Sequence, residues 1–116
     1  MTSITDLIDS ISPHIPFRDE ESAKAFLDRY DIGDQAALIS ALYIGRDHIH
    51  DSVIRPDYVP SGWAFDRYFT TGRAPKWDIS PADFARILYE KNTNLHTYYA
   101  AFIRCTEASE YSLDSF

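Results

Sequence analysis

Asp47-His48-Ile49-His50-Asp51 is the most chemically loaded stretch of this 116-residue chain. Two imidazoles and two carboxylates within five residues are the donor types that hold zinc and other divalent metals. On an extended strand His48 and His50 project to one side. On an α-helix they point about 200° apart, and Asp47 pairs instead with His50 or Asp51. The other two histidines, His14 and His96, fit no standard ligand spacing. The plainer reading is therefore an exposed polar helix end or loop. No cofactor is expected, and Asp47, His48, His50 and Asp51 stand as the candidate polar or metal cluster.

Nucleophilic chemistry is poorly provided for. Cys105 is the only cysteine, which excludes an intrachain disulfide and suits a reducing compartment. If Cys105 and His96 share one helix, their nine-residue separation places them on opposite sides at about 100° per residue. Cys105 follows Phe102 at helical spacing and reads as a buried, inert thiol, with a pairing to His14, His48 or His50 left open. Thr70-Thr71-Gly72-Arg73 lacks the Gly-Lys-Ser/Thr of a phosphate loop. There is no His-Glu-x-x-His and no Gly-x-Ser-x-Gly. These absences weigh against an enzyme.

The elements that must position these residues are helical. Ile4, Leu7, Ile8 and Ile11 follow the i, i+3, i+4, i+7 spacing, with Thr2 or Ser3 as cap and Pro13 as stop. A second helix is predicted from near Asp19, with Ala23, Phe26, Leu27 and Tyr30 inward and Asp19, Glu20 and Glu21 at the positive end of its dipole. Asp31-Ile32-Gly33-Asp34 breaks and recaps the chain. The third helix then carries Leu38, Ala41, Leu42 and Gly45 on one face, Gly45 marking either a close helix approach or the helix end. Residues 46–62 contain Pro56, Pro60 and Gly62 and read as a long irregular connection, of the kind that often carries function. Ser61 caps a short helix predicted over Trp63–Thr70. Ser80-Pro81-Ala82-Asp83 opens a further helix bearing Phe84, Ile87 and Leu88. Asn92-Thr93-Asn94 interrupts it, and Leu95, Tyr98, Tyr99, Phe102 and Thr106 continue as another amphipathic segment. Residues 107–116 form an acidic tail that Tyr111, Leu113 and Phe116 are placed to dock. The prediction is one all-α domain, a compact bundle of about five helices.

Leu38-Ile39-Ser40-Ala41-Leu42-Tyr43-Ile44-Gly45-Arg46-Asp47 resembles a small bacterial helical family of unknown function, whose members share a Leu-x-Ala-Leu-x-x-x-Gly-Arg-like helix. That family's C-terminal amphipathic helix holds a polar-Thr-x-x-Tyr stretch, with Asn94 to Tyr99 as the loose counterpart here. The resemblance implies a bacterial, helical protein and brings no activity with it.

Composition narrows the partners. Eighteen Asp and Glu against eleven Lys and Arg give a net charge of -7. Residues 1–45 hold eight acids and three bases, whereas 46–91 hold seven of each. Phosphate backbones repel such a surface, so nucleic acid is not expected as a ligand, and a basic protein is the natural counterpart. No apolar run reaches the roughly 18 residues of a membrane span. MTSITDLIDSIS lacks the basic region of a secretion signal, so a cytoplasmic location is expected. Trp63, Phe65, Tyr68, Phe69 and Trp77 crowd into fifteen residues among Asp66, Arg67, Arg73 and Lys76. Such rings either fill a core or anchor an interface.

The leading expectation is an acidic interaction module, an immunity protein or antitoxin that inhibits a basic partner through Asp19, Glu20, Glu21, Trp63, Tyr68 and Trp77. A second reading is a small enzyme or ligand-binding protein that uses the 46–62 connection, with Asp47, His48, His50 and Arg55. A third is a homo-oligomer subunit whose aromatics are buried between copies.

Overall fold

Each of the first three helices begins where a short polar side chain accepts an amide from the following turn, satisfying one of the donors a helix start leaves unpaired. The computed structural model describes residues 2–55, 79–114 and 116. Ser3 Oγ accepts from Asp6 N at 3.2 Å and opens α1 (Ile4–Ile11). Asp19 Oδ1 accepts from Ser22 N at 2.7 Å and opens α2 (Glu20–Leu27). Asp31 Oδ1 accepts from Asp34 N at 2.8 Å and opens α3 (Ile32–Asp47). Ser80 Oγ accepts from Ala82 N at 3.3 Å ahead of a 3-10 turn, Pro81–Asp83, which runs into α4 (Phe84–Glu90). A further 3-10 turn, Asn92–Asn94, redirects the chain into α5 (Leu95–Ala108). The described residues hold five α-helices and no strand, so the fold is the all-α bundle that periodicity predicts.

α3 is the axis of the bundle. It packs most extensively on α5 and also meets α1 and α4, while α2 packs on α4. Its burial is therefore not a single stripe: Ala36, Ala37, Ile39, Ser40 and Ile44 are as enclosed as Leu38, Ala41, Leu42 and Gly45. A helix covered on several sides loses its polar face, which explains why the sequence pattern reveals only part of its buried surface. α1, covered on one side, buries just Ile4, Leu7, Ile8 and Ile11. Each fully buried Leu, Ile or Phe contributes on the order of 2 kcal/mol through water release.

Gly45 is a close helix approach and not a helix end. A β-carbon there would overlap the Tyr98 carbonyl oxygen and lie 3.2 Å from Phe102 N, so only glycine lets α3 and α5 cross at this separation. The crossing is fastened by Tyr99, whose hydroxyl donates to Leu38 O at 3.0 Å.

Polar side chains tie the remaining backbone ends together. Gln35 Nε2 donates to Leu27 O at 2.9 Å and Tyr30 O at 3.0 Å, capping the C-terminus of α2 from α3. Asn92 pairs with both backbone groups of Phe17: its amide donates to Phe17 O at 2.6 Å and its carbonyl accepts from Phe17 N at 2.7 Å. At the end of α5, Tyr111 N donates to Thr106 O and Glu110 N to Glu107 O, both at 3.1 Å, with Glu110 at φ 60°. This is a Schellman closure with a non-glycine residue in the left-handed position. Beyond it Phe116 is fully buried, its ring 5.0 Å from that of Phe102, so the end of the acidic tail is docked in the core.

Candidate functional site

The Asp47–Asp51 stretch departs from the expected exposed helix end. α3 includes Arg46 and Asp47, and His48 N closes the helix by donating to Gly45 O at 3.1 Å. The irregular connection thus starts two residues later than the 46–62 boundary. His48 is fully buried, Asp47 and Asp51 are half-buried, and His50 is exposed. His48 turns inward because both ring nitrogens find backbone partners: Nδ1 lies 2.7 Å from Ile44 O, and Nε2 lies 3.1 Å from Arg55 N. Among the described residues no group of three His, Cys, Asp or Glu side chains is arranged to hold a metal ion.

What gathers around His48 is an anchor joining the 48–55 segment to α5. Arg104 Nη2 donates to His48 O, Ile49 O and Asp51 O at 3.3, 3.3 and 3.0 Å, and its Nε reaches Asp51 O at 3.2 Å. The guanidinium thereby gathers carbonyls of the segment that follows α3, beside the negative pole of that helix's dipole. The Cys105 thiol donates to Asp51 O at 3.3 Å, and Ser109 Oγ accepts from Ile54 N at 2.8 Å, seating the buried Ile54. Burial pushes the Cys105 thiol up, against the opposing influence of Arg104, so the thiol stays protonated and unreactive. Arg104, Ser109, Asn92 and Gln35 escape sequence reading because each acts on backbone atoms far away or across a helix break; an Arg one residue before a buried Cys is the only local trace.

The N-terminal acids divide into structural and free groups. Asp19 is half-buried, and two hydrogen bonds from Ser22, Oγ and then N, hold its carboxyl below the usual carboxylate value. It is a cap, and its charge is turned toward its own helix. Glu20 and Glu21 are exposed beside it, as are Asp6 and Asp9 on α1. Arg18 sits 3.5 Å from Asp19, Lys24 sits 2.8 Å from Asp28, and Arg29 lies over the Phe26 and Tyr30 rings. Among the described residues no base pairs with Asp6, Asp9, Glu20 or Glu21. The short helix predicted over Trp63–Thr70 and the aromatics Trp63, Tyr68 and Trp77 lie outside the described residues.

An open groove of about 790 Å³ runs between α1 and α5, lined by Ile8, Ser12, His96, Tyr99, Ile103 and Arg104 among others. Tyr99 offers it no acid–base chemistry: the hydroxyl is spent on Leu38 O, and burial pushes its ionisation far above the ordinary phenol value. Arg104 is spent on three carbonyls. No family model, no curated protein and no solved structure matches the chain. The reading of function therefore rests on these residues alone. No helix among the described residues is long and apolar enough to cross a membrane.

Proposed function

We propose that the chain is an acidic protein–protein interaction module, of the kind that serves as an immunity protein or antitoxin, and that it inhibits a basic partner. The observation that supports this most is the set of exposed carboxylates on α1 and α2 with which no base pairs among the described residues. Each of the three bases in residues 1–45 is already engaged, with Asp19, Asp28 or a pair of aromatic rings. Asp6, Asp9, Glu20 and Glu21 project their charge to solvent, where a cationic surface would meet it and be drawn in by long-range steering. The commitment of His48, Cys105, Arg104 and Tyr99 to backbone partners leaves those side chains structural work, which favours gripping over turnover.

Affinity capture with the intact chain, followed by mass spectrometry, tests the proposal. A basic protein retained at one-to-one stoichiometry, released by salt and inhibited on binding, is the expected result. Capture that yields no specific protein, or one whose retention is indifferent to salt, would overturn it.

A further inference from the structure

α5 buries Leu95, Tyr99, Phe102, Cys105 and Thr106 in the core. A second side of the same helix carries His96, Ala100, Ile103 and Glu107 at i, i+4, i+7 and i+11, a straight row about 17 Å long that lines the groove beside α1. His96, Ala100 and Glu107 are exposed and Ile103 is half-buried. Among the described residues neither His96 nor Glu107 has an ion-pair partner. The row is laid out about one midpoint. Ala100 and Ile103 flank it, small against large, and His96 and Glu107 lie equally far beyond them. One end offers an imidazole N–H and the other a carboxylate that accepts, and within one copy the two ends are too far apart to meet.

We propose that this row is the interface of a homodimer, in which α5 packs antiparallel on α5 of a second copy across a two-fold axis at that midpoint. A two-fold interface must complement itself, each residue meeting the residue that its own counterpart meets. Reversal sets Ala100 of each copy against Ile103 of the other, so the isoleucine fills the space the alanine leaves. It also sets His96 of each copy against Glu107 of the other, where the imidazole donates to the carboxylate twice per dimer. A parallel pairing brings like residues together and gains neither. Ile8 and Ser12 on α1 wall the row on one side, so the two grooves face each other and close into one seam. Each copy carries a net charge of -7, and salt near 0.15 M screens that repulsion beyond about 8 Å while leaving the contacts of the row in place. No α2 residue lines the groove, so Glu20 and Glu21 remain available, and the dimer stands or falls apart from the interaction proposed above.

Sedimentation equilibrium of the intact chain tests the dimer, from about 5 μM to about 500 μM in about 0.15 M salt. The wild-type mass should rise with concentration toward twice that of the monomer. His96→Glu alone and Glu107→Lys alone should each raise the dissociation constant about tenfold, since two favourable pairs give way to two unfavourable ones. Mixing the two variants should restore wild-type affinity, because the mixed dimer has a matched pair at both ends. In the ¹⁵N-labelled wild type the amide signals of Ala100 and Ile103 should shift with concentration while those of Glu20 and Glu21 stay fixed, which places the contact even where a variant does not fold. A wild type that stays monomeric throughout, or concentration-dependent shifts confined to another face, would overturn the proposal. So would single variants that dimerise like wild type, or a mixture that associates no better than they do.

Discussion

Gly45→Ala tests the packing at the heart of the bundle. The added β-carbon would overlap the Tyr98 carbonyl oxygen and stand 2.6 Å from its carbonyl carbon, against an ordinary carbon–carbon contact of about 3.5 Å or more. Both atoms belong to helix backbone, so no rotamer change relieves the overlap, and α3 and α5 must part by about 1 Å. Overpacking of this kind costs about 1–3 kcal/mol. Parting the helices also stretches the 3.0 Å Tyr99–Leu38 hydrogen bond, worth about 1 kcal/mol. Against this, alanine exceeds glycine in helix propensity by about 1 kcal/mol. Because the clash is backbone on backbone, the overpacking term belongs at the top of its range, and the net loss is about 3 kcal/mol. For a chain of this size that lowers Tm by roughly 10 °C. Urea unfolding followed by circular dichroism measures it directly. A variant as stable as wild type, or more stable as propensity alone would make it, would refute the close crossing.

Asn92→Asp is expected to cost about 2 kcal/mol, because the Phe17 carbonyl loses its donor and faces an acceptor instead; chemical denaturation checks it. Glu110→Gly should stabilise by about 0.5–1 kcal/mol, since glycine relieves the left-handed backbone at φ 60° while losing some chain entropy, and a rise in Tm is the readout. Stability should fall on the alkaline side. Tyr99 and Cys105 are acids whose ionisation burial pushes up, so the unfolded chain sheds these protons first; the stabilisation is full below about pH 8.5 and is lost as pH rises above that ordinary thiol value toward the raised folded ones. Urea midpoints between about pH 7 and about pH 10.5 should decline, and Cys105→Ala should flatten the earlier part of the decline.

The helices whose ends are set by local chemistry were legible in the residue order. Ser3, Asp19 and Asp31 each cap within their own turn, and α1 buries one side, so the starts of these helices follow the local signals; α2 ends at Leu27, short of Tyr30, and α3 runs on to Asp47. The Asn92–Asn94 break was likewise visible because it is a property of consecutive residues. α3 was legible as a helix but not as the axis, since its enclosure depends on three neighbours that periodicity does not encode. His48 illustrates the same limit. Its residue type suggested a ligand or a solvated end, whereas its ring is held by Ile44 O and Arg55 N and its carbonyl by Arg104 and Cys105, both more than fifty positions away. The N-terminal acids were legible as charge, but only the structure separates Asp19, a cap, from Glu20 and Glu21 beside it.

The central claim is that these outward carboxylates draw in a cationic partner. Its most direct test measures association rates between the captured partner and two forms of the chain, wild type and Glu20→Gln/Glu21→Gln, across a range of salt. The double variant should associate roughly tenfold more slowly at low salt and show a shallower salt dependence, with helical content unchanged. Equal rates and equal salt dependence in the two forms would contradict the claim.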